Sequence, residues 1–216
     1  MFKLVKSSLI LHIIRQAFSL SVILIIFQIL PLSKTVSFAR SSVMLTSQEE
    51  ADLEQGKVIL QGEKGQYVVR VSTTGNIEKA WEVLTDYNNF QKFLPNIVDS
   101  KIIEENTDIT IFEQTNLIDL LLLTKEFTVQ IAATKNYPQK IDFEIIEGDL
   151  KQLQGSWEVA TLPSGKVLVT HRVLVAPKTK GESAIFYGIY ESSLEETLTA
   201  IAAEITKRSE SDVKNN

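Results

Sequence analysis

In KEFTVQIAAT, from residue 125, Phe127, Val129 and Ile131 share one face while Glu126, Thr128 and Gln130 take the other. KIDFEIIEG repeats the alternation, with Ile141, Phe143 and Ile145 against Asp142 and Glu144. A period of two with one apolar side describes strands of a sheet buried on one face. KVILQG and QYVVRVST flank EKG and predict a hairpin turning at Gly65. IVDSKIIEE and DITIFEQTNLI read as two strands parted at Asn106, and Tyr137-Pro138 marks a turn. LQGSWEVAT and KVLVTHRVLVAP complete the run, joined at Pro163-Ser164-Gly165. Two segments have helical spacing instead. Ile77, Ala80, Trp81 and Leu84 follow Asn76, a capping residue. Tyr187, Tyr190, Leu194, Leu198, Ile201 and Ile205 step by three and four, which predicts one long helix over 183–208. Glu191, Glu195, Glu196, Glu204 and Lys207 lie away from that face.

The order is α+β: a hairpin, short helices, about six further antiparallel strands and a long C-terminal helix. Only that helix is long enough to cover the sheet's apolar face. Gly155, inside a strand, marks a bend or a close approach. Between helix and sheet stands AWEVLTDYNNFQKFLPNI, residues 80–97, where Phe90, Phe93, Leu94 and Ile97 crowd a connection that Pro95 prevents from continuing as helix. Large apolar residues on a turn need something to cover.

Residues 1–39 hold four basic and no acidic side chains, with the apolar run AFSLSVILIIFQILPL and then SKTVSFAR. They read as an export signal cleaved after Ala39, as an uncleaved anchor over residues 9–32, or as a buried helix of the domain. Either export reading puts the rest outside the cytoplasm, in a periplasm or comparable lumen. Residues 40–56 read as a polar linker, 57–210 as the folded domain and 211–216 as a disordered tail. Residues 40–216 carry 18 basic and 27 acidic side chains, a formal charge of −9. Without a basic stripe, such a domain repels phosphate backbones, so nucleic acid is excluded as a partner. Absence of cysteine removes disulfides and thiolate chemistry.

The run W-x-x-L-x-D-Y-x-x-F-x-x-F-x-P from Trp81 to Pro95, and the spacing E-G-x-x-x-x-x-x-G-x-W from Glu147 to Trp157, resemble the START-like (SRPBCC, helix-grip) superfamily. The nearest branch is the polyketide cyclase/dehydrase and coenzyme Q-binding group. The likeness spans about residues 56–208. It implies a curved antiparallel sheet wrapped around the C-terminal helix, with an apolar cavity between them. It also implies an apolar small-molecule partner: a lipid, an isoprenoid or a quinone. Phe90, Phe93, Leu94 and Pro95 then become residues of the cavity mouth.

The inward strand residues, with Phe127, Ile131 and Phe143 among them, read as core or as cavity lining; almost nothing polar points with them. His171 is the exception, since alternation in VLVTHRVLV places it with Val169 and Val173 while Arg172 faces out. A buried imidazole needs a partner, and Gln114 and Tyr187 are the candidates, as partners or as further contacts to a ligand headgroup. Trp157, with Trp81, reads as a structural anchor or a ligand platform; Tyr190 completes the ligand-contact set. LIDLLLLTK, residues 117–125, is either a longer strand pair packing its leucines inside or an exposed apolar edge touching a membrane or a partner complex. Catalysis would rest on His171 alone, without a nucleophile motif or a pair of inward carboxylates. No cofactor is implied, and no His or Cys cluster suits a metal. The expected function is that of a non-catalytic binding or carrier protein for an apolar ligand; the alternatives are an assembly module of a membrane complex and a cyclase/dehydrase-type enzyme using His171.

Overall fold

The computed structural model describes residues 45–120, 123–179 and 183–214. The proposed export segment, residues 1–39, lies outside them. Among the described residues no helix is long and apolar enough to cross a membrane.

Eight antiparallel strands form one sheet: β1 (Ile59–Glu63), β2 (Gln66–Thr73), β3 (Ile97–Glu105), β4 (Ile109–Leu120), β5 (Leu123–Asn136), β6 (Lys140–Gly148), β7 (Leu150–Thr161) and β8 (Val167–Pro177). Their order across the sheet is β1-β2-β8-β7-β6-β5-β4-β3, so the N-terminal hairpin joins at the last strand and β3 forms the far edge. The β1–β2 connection has two residues, Lys64 at φ 54° and Gly65 at φ 91°. A positive φ at both positions matches the twist of a tight hairpin. Gly155 fulfils the expectation of a close approach. A Cβ there would overlap the Arg172 carbonyl on β8 and crowd the Phe143 ring on β6.

Among the described residues three α-helices accompany the sheet: α1 (Ser47–Glu54), α2 (Ile77–Leu84) and α3 (Ser183–Lys214). Helix α1 lies in the stretch expected to be linker. Its signal was Thr46-x-x-Glu49: the Glu49 amide donates to the Thr46 hydroxyl at 3.2 Å, and the Thr46 amide donates to the Glu49 carboxylate at 2.7 Å. One buried leucine, Leu53, tethers α1 to the domain, too little apolar pattern to reveal a helix by periodicity. Helix α2 is capped by Asn76, whose side chain accepts from the Lys79 amide at 2.8 Å. Ala80, Val83 and Leu84 are buried, while Trp81 meets Tyr137 edge-on at 5.2 Å.

Helix α3 continues past residue 208, and residues 211–214, expected as tail, are helical. The extension is held by an ion pair between Lys79 and Asp212 at 2.7 Å. Leu194, Leu198, Ile201 and Ile205 are buried on one stripe. Glu191, expected to face away, instead accepts a hydrogen bond from the Tyr67 hydroxyl of β2 at 2.7 Å. Burial, then that bond, pushes the Tyr67 phenol up to about 12. The helix backbone runs closest to β2, with further contacts to α2, β1 and β8. It therefore leans on one side of the curved sheet and stands off from β4–β7. At the other end of the sheet, pairing of β4 with β5 extends to Leu120 and Leu123. The leucine-rich run is thus strand at 117–120 and 123–125, and its residues 121 and 122 lie outside the described residues.

Candidate functional site

The gap between α3 and β4–β7 is a cavity of two adjoining chambers. The inner chamber, about 170 Å³, is roofed by the end of α2 and by the 3₁₀ turn Tyr87–Lys92. The outer chamber, about 360 Å³, is lined by Leu117, Phe127, Val129, Leu150, Phe186 and Ile189. Both share Gln114, Asn116, Ile131, Leu153, Tyr190 and Ser193. Their combined size lies in the range of small-molecule sites, and such sites are mostly apolar with a few placed polar groups.

The 3₁₀ turn explains the crowded connection of residues 80–97. The amides of Phe93 and Leu94 both donate to the Phe90 carbonyl, at 3.1 and 2.8 Å. That tight turn sends Phe90, Leu94 and Pro95 to the inner chamber. Phe93 is the correction: it leaves the cavity, and the Arg208 guanidinium lies 5.4 Å above its ring. Side-chain anchors fix the turn to β3, since the Ser100 hydroxyl donates to the Tyr87 carbonyl at 2.6 Å and the Ile102 amide donates to Asn88 Oδ1 at 2.8 Å.

The inner wall is aromatic. His171 is stacked on Trp157 with ring centroids 3.8 Å apart, and Phe143 lies nearly parallel to the imidazole at 5.5 Å. Trp157 is therefore part of the cavity wall, unlike Trp81. Tyr87 stacks on Phe112 at 4.3 Å, and Phe90 meets both edge-on. Burial pulls the His171 pKa down to about 3, a bond to the Ser156 backbone opposing it only weakly. Burial likewise pushes the Tyr87 and Tyr190 phenols upward.

The expected partners of His171 are elsewhere. Gln114 Nε2 donates to Asn116 Oδ1 at 2.8 Å, both on the cavity side of β4. Tyr187 sits over the β1–β2 turn, where a Cβ on Gly65 would fall 2.8 Å from its ring, and it lines neither chamber. The Nδ1 atom of His171 and the hydroxyl of Tyr87 are buried without a hydrogen-bond partner.

Of the residues singled out from the sequence, Phe90, Leu94, Gln114, Ile131, Phe143, Trp157, His171 and Tyr190 meet at the inner chamber, and Phe127 joins the outer one. The interior is also more polar than alternation implied. Asn116, Ser193 and Thr197 line it together with Tyr87. Ser193 and Thr197 stand i, i+4 on α3 beside Leu194 and Leu198, at the border of the apolar stripe. Asn116 follows Gln114 by two on β4, so the two share one face, and the structure turns that face to the cavity. Among the described residues no group of His, Cys, Asp or Glu is placed to hold a metal ion.

Residues 76–202 match the family described as polyketide cyclase/dehydrase and lipid transport. The chain belongs to that family. Its members share the binding of hydrophobic small molecules. Solved structures with the same fold include the Zhui aromatase/cyclase of a Streptomyces species, at 16% identity and a TM-score of 0.54, covering 68% of this chain and 94% of that one. A STAR-related lipid transfer protein from Xanthomonas axonopodis aligns at 14% identity and 0.56, covering 68% and 92%. A START superfamily protein from Mycobacterium smegmatis aligns at 14% identity and 0.52, covering 69% and 99%. Identities this low carry the START-like fold alone. No curated protein matches the sequence.

Proposed function

We propose that the protein binds and carries an apolar small molecule, of lipid, isoprenoid or quinone-like character, held between α3 and strands β4–β7. The observation that carries this reading is the two-chambered void lined by aliphatic and aromatic side chains. A tail burying roughly 400 Å² of apolar surface gains about 10 kcal/mol at ~25 cal/mol/Å². Association costs of about 4–15 kcal/mol offset much of that, which leaves affinities suited to pick-up and release. The similarity to a STAR-related lipid transfer protein supports the same reading.

The aromatase/cyclase among the similar structures favours a second reading, a cyclase/dehydrase with His171 as general acid or base. Against it stands the chemistry of the ring. An efficient proton-transfer group has a pKa near the working pH, whereas His171 is held near 3 between aromatic rings. Under the carrier reading, the domain acts outside the cytoplasm behind the apolar N-terminal segment, with the leucine-rich run 117–125 as its candidate contact to a membrane.

Native mass spectrometry of the full-length chain purified from membranes, followed by organic extraction, tests the carrier reading. A reproducible extra mass matching a lipid or prenylated molecule is expected. A clean apo mass from preparations with and without mild detergent would shift the assignment to an assembly module docking through its β4–β5 edge.

A further inference from the structure

A buried polar atom left without a partner costs about 1–3 kcal/mol. The inner chamber is bordered by two residues with such atoms. Tyr87, at 3% exposure, carries an unpartnered hydroxyl, and His171, at 5%, carries an unpartnered Nδ1. They come from separate elements, one on the 3₁₀ turn and one on β8, yet both line the same small space. Around them stand flat surfaces: the Phe143–His171–Trp157 stack and the Tyr87–Phe112 stack. The space itself, about 170 Å³, is close to the ~150 Å³ cavity that accommodates benzene. Size, shape and flat walls suit one aromatic ring.

The polarity of the two orphans narrows the ring's chemistry. A neutral imidazole has one N–H and one bare nitrogen. Burial keeps this ring neutral. With its one proton on Nε2, the unpartnered Nδ1 is the bare, accepting nitrogen and takes an O–H or N–H from the ligand. The Tyr87 hydroxyl can donate to a ligand oxygen. A quinone carbonyl only accepts, so it satisfies Tyr87 and leaves His171 Nδ1 unpaired.

Resting on the carrier reading above, we infer that the inner chamber is a headgroup subsite for a hydroxylated aromatic ring, whose hydroxyl donates to His171 Nδ1 and whose oxygen accepts from Tyr87, with the apolar tail in the outer chamber. The ligand class is a phenol bearing an alkyl or isoprenoid tail, in preference to a quinone or an ether of the same skeleton. Gln114, Asn116 and Ser193, shared by both chambers, stand where head and tail join.

Calorimetric titration of the full-length chain with para-pentylphenol and with its methyl ether tests the inference. The ether keeps the ring and tail but cannot donate. The phenol is expected to bind about tenfold or more tightly, as in sites built around a substrate hydroxyl. His171→Phe, which keeps a flat ring on Trp157, should reduce that preference to about twofold while the ether still binds. Tyr87→Phe is a second variant and should weaken the phenol by several-fold. Equal binding of phenol and ether to the native chain overturns the headgroup subsite and leaves the carrier reading standing. A preference that survives both substitutions also overturns it. Failure of both molecules to bind overturns the subsite and the carrier reading together.

Discussion

The imidazole of His171 lies against the indole of Trp157, its register partner on the neighbouring strand, with centroids 3.8 Å apart and planes inclined by 22°. Side chains of cross-strand partners project to the same face, and here that face is the floor of a cavity rather than a filled core. The stack holds a polar ring where an aliphatic one would fit, keeping a hydrogen-bonding atom in an otherwise oily wall. Its cost appears in the lowered pKa, because a ring kept from water takes up a proton only at strongly acidic pH.

That lowered pKa predicts a pH-dependent stability. The unfolded chain protonates His171 near 6.5 and the folded chain near 3. Between those values the unfolded state binds more protons, so this contribution is complete above pH 6.5 and is lost progressively as pH falls toward 3. At pH 5 the loss is about 2 kcal/mol, at roughly 1.4 kcal/mol per unit. Urea unfolding at pH 7 and pH 5 should show it in the native chain and show it reduced in His171→Phe. Identical pH dependence in the two proteins would exclude His171 as the source.

Gly155 makes a prediction of a different kind. Its backbone is of an ordinary strand type, but there is no room for a side chain between the Arg172 carbonyl and the Phe143 ring. Gly155→Ala should separate β7 from β8 locally and displace Phe143 from the inner wall. A loss of about 2–3 kcal/mol, at the upper end for single substitutions, is expected in chemical denaturation. A change under about 0.5 kcal/mol would show that the strands part easily at this point.

These features were legible in the sequence to different degrees. Every strand and helices α2 and α3 announced themselves, because period two and steps of three and four are imposed by burying one face. Gly155 was legible because a glycine within a strand must explain its missing side chain. Helix α1 escaped for the opposite reason: a capping box and one buried leucine give it almost no apolar face. Within the site, the strand residues Ile131, Phe143 and His171 were placed by alternation, whereas the face of Gln114 stayed open until the register of β4 was known. The misplaced residues, Phe93 and Tyr187, sit at the end of a 3₁₀ turn, as its C-cap, and near the start of α3, where rotation about the local axis decides between cavity and surface. Glu191 was assigned to solvent because a carboxylate usually belongs there, and only the tertiary structure brings Tyr67 within reach.

Filling the void should separate ligand binding from folding. Ser193 lines both chambers from α3 and is half-buried. Ser193→Phe places a ring in existing space, so thermal unfolding should shift by no more than a few degrees, equivalent to about 1 kcal/mol. Binding of para-pentylphenol should fall about tenfold or more, since the ring takes the passage between head and tail. Full binding by this variant would mean that the ligand sits outside the two chambers.

The last prediction concerns release. Asn96 Nδ2 donates to Glu196 Oε2 at 3.3 Å, linking the chain after the 3₁₀ turn to α3, and both residues border the outer chamber. Asn96 has φ 62°, and its carbonyl accepts from the Leu117 amide of β4 at 2.8 Å. One residue therefore ties the turn, the helix and the strand together at the edge of the cavity. Alanine would add backbone strain in the left-handed region, so Asn96→Gly, which adopts that φ freely, is the cleaner change. It removes the contact to Glu196 and keeps the backbone bond to Leu117. An exposed hydrogen bond of this kind contributes little, so stability should change by about 0.5 kcal/mol or less. If the link gates the outer chamber, stopped-flow release of bound para-pentylphenol should accelerate several-fold with the association rate less affected, because differences among variants of one site fall mostly on dissociation. Glu196→Gln retains an acceptor for Asn96 and should release the ligand at close to the native rate. Equal release from all three proteins would place the exit elsewhere on the cavity.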